Sequence, residues 1–386
     1  MKVFSLTAQS VYCLAGSKMK YLSLLAWWLV AEKRDRPKRQ PGHSMARKRI
    51  RLSEVAREAG VSPATVSRAI SQPELLSRAT LSRVRRAAER LGYRPDGAAR
   101  ALASGRSMTI GAVMPTLDNA IFSKALQAMQ AQLAAEGYQL LVASHDYNKS
   151  AEAECIRTLL AQGVDGLILV GAERVTEATT LLEQTQVPVI LTWCAPPGAP
   201  SVVVDNEQAG ALVARYLIAQ GHRRIGVITG ATRSNDRQRA RLQGARLALE
   251  AAGLSLPPAL ACEQPTTLAG GRMGCAQLLE LADAPTAIIG GIDLIAIGCM
   301  VEAQARGLTI PGDLSVAGID DLDMSAHVSP SLTTVHVPTA QIGVEAARKM
   351  VAILNEQSLD PTLTLPVDLI VRRSTGPAPA SLRLPA

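Results

Sequence analysis

The 386-residue chain is 47% apolar and 19% charged, a balance that excludes a wholly disordered or collagen-like protein and leaves room for about two to three domains. No uninterrupted apolar run reaches the roughly 18 residues that span a bilayer, which excludes an integral membrane protein. Six widely spaced cysteines with no C-x-x-C or Cys/His ligand spacing favour reduced thiols in a cytoplasmic protein, with no metal or cofactor, over a disulfide framework.

The net charge of +8 is unevenly distributed. Residues 1–44 carry eight Lys/Arg against two Asp/Glu, residues 45–107 fourteen against five, and the remaining 279 nineteen against twenty-six. A basic block on an acidic body points to a polyanion-binding headpiece, with a solvated arginine face as the plain alternative. Ahead of the block, the apolar stretch 21–31 (YLSLLAWWLVA) has basic flanks like those of a signal peptide. It is too short to span a bilayer and no small-x-small cleavage site follows it. Met45 opens a fresh segment, so residues 1–44 are expected to be an upstream start or a disordered tail.

In LSEVAREA (52–59), Leu52, Val55, Ala56 and Ala59 fall on one helical stripe. Gly60 then supplies a turn, and Ser62-Pro63 restart a helix as N-cap and first residue. Val66, Ala69 and Ile70 form the buried stripe of that second helix. Ser77 caps a third, with Leu81, Val84, Ala88 and Leu91 inside, Arg83, Arg85, Arg86 and Arg90 largely outside, and Gly92 as its stop. Two short helices joined by a glycine turn in a basic setting match the helix-turn-helix pattern.

The segments LSEVAREAGVSPATVSRAIS (52–71), LGYRP (91–95) and AARALASGRSMTIGAVMP (98–115) closely resemble the lactose-repressor (LacI/GalR) family, and the resemblance runs from about Ile50 to Ser374. It implies a sequence-specific transcriptional regulator, a repressor, that binds pseudo-palindromic operator DNA as a homodimer. It also implies a headpiece at 45–94, a hinge at 95–107, a two-lobed core at 108–374 and a flexible tail at 375–386. Pro63, Ala64 and Arg68 would occupy the groove-facing positions of the recognition helix, Arg68 donating two hydrogen bonds to a guanine edge. Ser62, Thr65 and Ser67 would contact phosphates or serve only as local caps. Leu102 matches the position of a hinge-helix wedge that opens the minor groove, and the small Ala99 would let two hinge helices approach.

From Thr109 onward, apolar runs such as TIGAVMP, GLILVG, RIGVITG and LSVAGID alternate with helical stretches, the pattern of parallel sheets covered on both faces. The expected fold class is therefore α/β. A helix-turn-helix three-helix headpiece would precede a two-lobed, periplasmic-binding-protein-like core of doubly wound parallel sheets. The resemblance splits this core into a first lobe at about 108–220 plus 339–356 and a second at about 222–336 plus 360–374, its last strand near 363–371. Three chain crossings would flank a cleft for a sugar, sugar acid or related polar effector.

Asp205, Arg241 and Asp320 match family positions that hydrogen-bond the effector, and Phe122 matches an apolar wall or is plain core. Asp293 and Asp321 are expected to cap helices or brace a sheet. The chain departs from the family pattern at Ile292, commonly asparagine, and at Val337, commonly glutamine. Both changes remove hydrogen-bond partners, which argues against reading the effector as an ordinary neutral sugar is read. No nucleophile elbow, phosphate-binding loop or H-E-x-x-H motif is present, so no enzyme is expected. An exported solute-binding protein is the alternative. A C-terminal heptad segment is also lacking, which favours a dimer over a tetramer.

Overall fold

The computed structural model describes residues 50–93 and 105–379. The expected extension 1–44, most of the hinge including Ala99 and Leu102, and residues 380–386 lie outside the described residues.

The headpiece is a three-helix unit: α1 (Leu52–Ala59), α2 (Pro63–Ser71) and α3 (Arg78–Leu91). Gly60 and Gly92, at φ +63° and +65°, end α1 and α3 in the left-handed conformation that glycine adopts without steric cost. Ser62 and Ser77 cap the two following helices by accepting from Thr65 N and Thr80 N. Val55, Ala56, Val66, Val84 and Ala87 make the small core, with Leu52, Ile70 and Leu91 packed against it. Ala87 thus takes the inner position that the sequence reading gave to Ala88, which is only half-buried.

The core contains two six-stranded sheets. The first has the order β11-β5-β4-β3-β1-β2, all parallel, from β1 (Thr109–Met114), β2 (Gln139–Ser144), β3 (Gly166–Val170), β4 (Val189–Trp193), β5 (Ser201–Val204) and β11 (Thr362–Leu365). It is flanked by α4 (Ala120–Ala135), α5 (Lys149–Ala161), α6 (Thr176–Gln184) and α11 (Thr339–Leu354). The second has the order β12-β10-β9-β8-β6-β7, from β6 (Ile225–Thr229), β7 (Ala261–Glu263), β8 (Ala287–Gly290), β9 (Ser315–Asp320), β10 (Thr333–His336) and β12 (Asp368–Ile370). Only β12 runs antiparallel to its neighbour. Its helices are α7 (Asn206–Ala219), α8 (Asp236–Ala251), α9 (Leu268–Leu279) and α10 (Asp293–Ala305).

Three details correct the expected boundaries. The first crossing falls between β5 and α7, not near residue 221, because α7 packs on α8 and on the second sheet. Glycine permits that packing: a Cβ on Gly210 would lie 1.9 Å from Arg241 O, and one on Gly244 1.8 Å from Glu207 O. The segment expected as one last strand of the second lobe is instead divided. Residues 362–365 extend the first sheet through β5, and only 368–370 join the second. The start of the expected flexible tail is packed. Thr375 Oγ1 lies 2.7 Å from Thr333 Oγ1, Gly376 O accepts from the buried His222, and Ala378 N donates to Gln220 O.

The Gly-rich run 270–274 lies inside α9, where Gly271 faces the α10 backbone at Ile295 O; it packs helices and cradles no phosphate.

Candidate DNA interface and effector cleft

In the headpiece, Pro63, Ala64 and Arg68 are exposed at one-turn spacing along α2. Thr65 and Ser67 are half-buried beside them, and the exposed Ser62 is engaged as the cap. The α2 face therefore offers one forked cation and two small apolar groups. Its opposite side carries Val66, which is fully buried and fixes the helix rotation. Arg57, Arg83, Arg85, Arg86 and Arg90 are all exposed, giving the unit a basic exterior suited to phosphates.

In the core, the carboxyl ends of the strands of both sheets meet at a cleft, the position where open α/β sheets bind ligands. Backbone strain gathers there. Five of the seven non-glycine residues with positive φ among the described residues follow or end cleft-facing strands: Asp146, Tyr147, Trp193, Asp320 and Asp321.

Arg241 reaches from α8 to Asp320 at the end of β9, Nη2 to Oδ1 2.9 Å, with both side chains buried. It also donates to Asn206 Oδ1 (3.0 Å) and Gly291 O (2.8 Å). Asp205 has a different task. It caps α7 by accepting from Gln208 N and lies exposed. Its neighbour Asn206 is the buried residue that meets Arg241 and also donates to Trp193 O. Phe122 is buried on α4, its ring 5.2 Å from that of Trp193 in an edge-to-face pair. Ile292 and Val337, the two departures, are buried in the same continuous apolar cluster as Phe122 and Trp193. Asp293 braces the second sheet, accepting from Leu322 N and Ser325 Oγ. Asp321 pairs with Arg372 and His336.

The cleft holds a chamber of about 900 Å³. Asp118, Asn119, Asp146 and Tyr147 line it from the first lobe; Asn235, Glu263 and Thr266 are among its lining from the second. Phe122, Asp205, Arg241 and Asp320 lie outside this lining. Asp320 instead borders a second recess of about 360 Å³ with Ile121, Lys124 and Thr339. The lobes are joined beside the chamber by Ala172 N donating to Asp236 Oδ2 (2.6 Å) and by an Arg239–Glu173 ion pair.

Residues 51–96 match the family model described as bacterial regulatory proteins, lacI family, and residues 214–375 match a periplasmic binding protein-like domain. Catabolite control protein A of Priestia megaterium is 32% identical over 84% of this chain and 99% of its own length. The transcriptional repressor CytR of Escherichia coli K12 is 31% identical over 85% and 97%. The chain belongs to the LacI family.

Among solved structures, the lac repressor dimer bound to operator and the anti-inducer ONPF superimposes with a TM-score of 0.78 at 28% identity, covering 85% of this chain and all of that one. The regulator CelR in complex with cellobiose gives 0.64 at 30% identity over 84% and 100%.

Within the LacI framework, several cleft residues escaped the sequence reading: Trp193, Asn206, His145, Tyr147 and Arg237. A usable signal existed for Trp193. In a chain with 3% aromatics, a tryptophan closes the apolar run VILTW at the cleft end of a strand. His145 and Tyr147 follow the run QLLVAS in the same way. Asn206 carried no comparable signal, since Asp205 beside it was equally polar.

Burial pushes the Asp320 carboxyl up to about 7, against the opposing pull of Arg241. A carboxyl raised in the folded state holds its proton longer than in the unfolded chain, so its stabilising contribution is complete below about pH 4 and lost as pH rises through about 7. We predict that Asp320→Asn flattens the stability of the core across this window relative to the unsubstituted protein. Denaturant melts from pH 4 to pH 8 would measure it, and parallel curves for the two proteins would refute the assignment.

Proposed function

We propose that the chain is a dimeric, sequence-specific transcriptional repressor whose affinity for a pseudo-palindromic operator is set by a small polar metabolite bound between the lobes. The observation that carries this reading is the pairing of an arginine-faced helix-turn-helix unit with a two-lobed core that holds a 900 Å³ chamber at its strand ends. Arg68 reads a base edge, Pro63 and Ala64 make apolar contacts, and Ser62, Thr65 and Ser67 set the register on phosphates. Ala99 and Leu102 keep the hinge roles that the resemblance assigns. Large apolar side chains left exposed on α9 and α10, Met273 and Val301, suit a second copy of the chain. The protein acts in the cytoplasm on duplex DNA and catalyses no reaction.

Arg241 and Asp320 respond to the effector through Asn206, at the first crossing, rather than by standing in the chamber. A ligand that prefers one pose of the lobes shifts the population able to bind operator. A thousandfold change in affinity requires about 4 kcal/mol of such preference. We expect that a metabolite raising the melting temperature of the protein also changes its operator affinity in a mobility-shift titration, and that Ser234→Trp, which fills the chamber from an exposed position, abolishes both effects. Stabilising metabolites that leave operator affinity untouched would contradict the reading.

A further inference from the structure

Five of the seven positive-φ non-glycine residues among the described residues gather at the cleft. The other two lie where the hinge assigned to residues 95–107 joins the first lobe. Met108, at φ +53°, directly precedes β1, and Glu356, at φ +58°, follows the end of α11. Gly105 is left-handed as well, at φ +70°. A methionine enters that region only at a cost, so the contacts around it must hold it there.

Those contacts centre on one carboxylate. Asp165, the residue before β3, accepts from Ser107 N (2.8 Å) and Ser107 Oγ (3.0 Å) through Oδ1, and from Met108 N (2.8 Å) through Oδ2. The backbone closes the pairing, with Asp165 N donating to Thr109 O and Gln139 N to Met108 O. Just before Ser107, Arg106 Nη2 donates to Leu354 O (2.6 Å), the last carbonyl of α11. That carbonyl has no partner within its own helix, and a cation there also meets the negative end of the helix dipole. The two anchor points belong to one packed body. A Cβ on Gly166, the neighbour of Asp165, would lie 2.3 Å from Met350 Sδ on α11.

We propose that Asp165 and Arg106 are positioning residues for operator recognition: they fix where and in which direction the hinge leaves the core, and so set the half-site spacing that the dimer accepts. The inference rests on the reading of the chain as a dimeric repressor. One base pair inserted between two half-sites moves them apart by about 3.4 Å and turns them by about 34°. A hinge free to swing at its root accommodates that change; one held at Arg106, Ser107 and Met108 must strain or let go. Without Asp165, Met108 is released toward extended backbone and the root swings. If Asp165 only closed the end of the β1–β3 pairing, its loss would lower stability and leave the spacing preference as it was.

The test is fluorescence anisotropy of the full-length protein on an operator selected from a randomised duplex pool, and on versions with one base pair added or removed between the half-sites. The unsubstituted protein should bind the altered spacings about tenfold or more weakly, a loss comparable to that of a mismatched base pair. In Asp165→Ala this preference should shrink to about threefold or less, as the hydrogen bonds to the carboxylate are lost. Asp165→Asn, which keeps an oxygen for Ser107, and Arg106→Met, which removes one bond, should fall between. Arg106 is exposed, so Arg106→Met decides if Asp165→Ala does not fold. A preference that stays as sharp in every folded variant, whether or not affinity drops on all spacings alike, overturns the anchor and leaves the repressor reading standing. So does an unsubstituted protein indifferent to spacing. Binding to no duplex at all overturns the repressor reading, and the anchor with it.

Discussion

Arg241→Ala is expected to lower the melting temperature of the core by about 10 °C and to abolish the response to effector. The substitution leaves Asp320 as a buried carboxylate with no cation beside it, a change that costs about 3–5 kcal/mol. At this chain length each kcal/mol corresponds to about 2–4 °C. It also frees Asn206 Oδ1 and Gly291 O, the other two acceptors of the guanidinium. Because Asp320 can escape by taking up a proton, the loss should be smaller at pH 6 than at pH 8. The double variant Arg241→Met/Asp320→Asn, which removes both charges, should recover most of the stability but not the response. Calorimetric melts of the three proteins at the two pH values check this. A single variant as stable as the unsubstituted chain would show that the pair does not brace the cleft.

Arg68→Ala is expected to cost about 1–3 kcal/mol on operator, while binding to random duplex weakens far less. Alanine is a good helix former, and Arg68 is exposed, so α2 should keep its shape. What goes is a forked donor able to read O6 and N7 of one guanine. The base preference at one position of each half-site should therefore relax, and selection from a randomised duplex pool would show it. A uniform loss across all sequences would make Arg68 a phosphate contact.

The headpiece was legible from the sequence because its determinants are local. The Leu52-Val55-Ala56-Ala59 stripe, the Ser62 and Ser77 caps and the two left-handed glycines act within a few residues of one another. The strands of the core were legible for the same reason, as uninterrupted apolar runs. Which sheet each element joins was not, because that depends on partners far along the chain. The packing of α7 on α8 turns on Gly210 meeting Arg241, and β11 pairs with a strand some 160 residues before it. In the cleft, the family positions pick out Arg241 and Asp320 as effector contacts, not as partners of each other. A sequence does not reveal, however, that the two lie beside each other as an ion pair or that other residues line the 900 Å³ chamber. One residue of helix geometry separates the capping Asp205 from the buried Asn206.

The central claim, that the basic headpiece grips duplex DNA under the control of the core, is tested most directly by fluorescence anisotropy of a labelled, selected operator against ionic strength. A LacI-family dimer that neutralises six to ten phosphates should lose about 10³–10⁵ in affinity between 50 and 200 mM salt, with random duplex binding far more weakly throughout. An affinity that is flat with salt, or equal on both duplexes, would contradict the account.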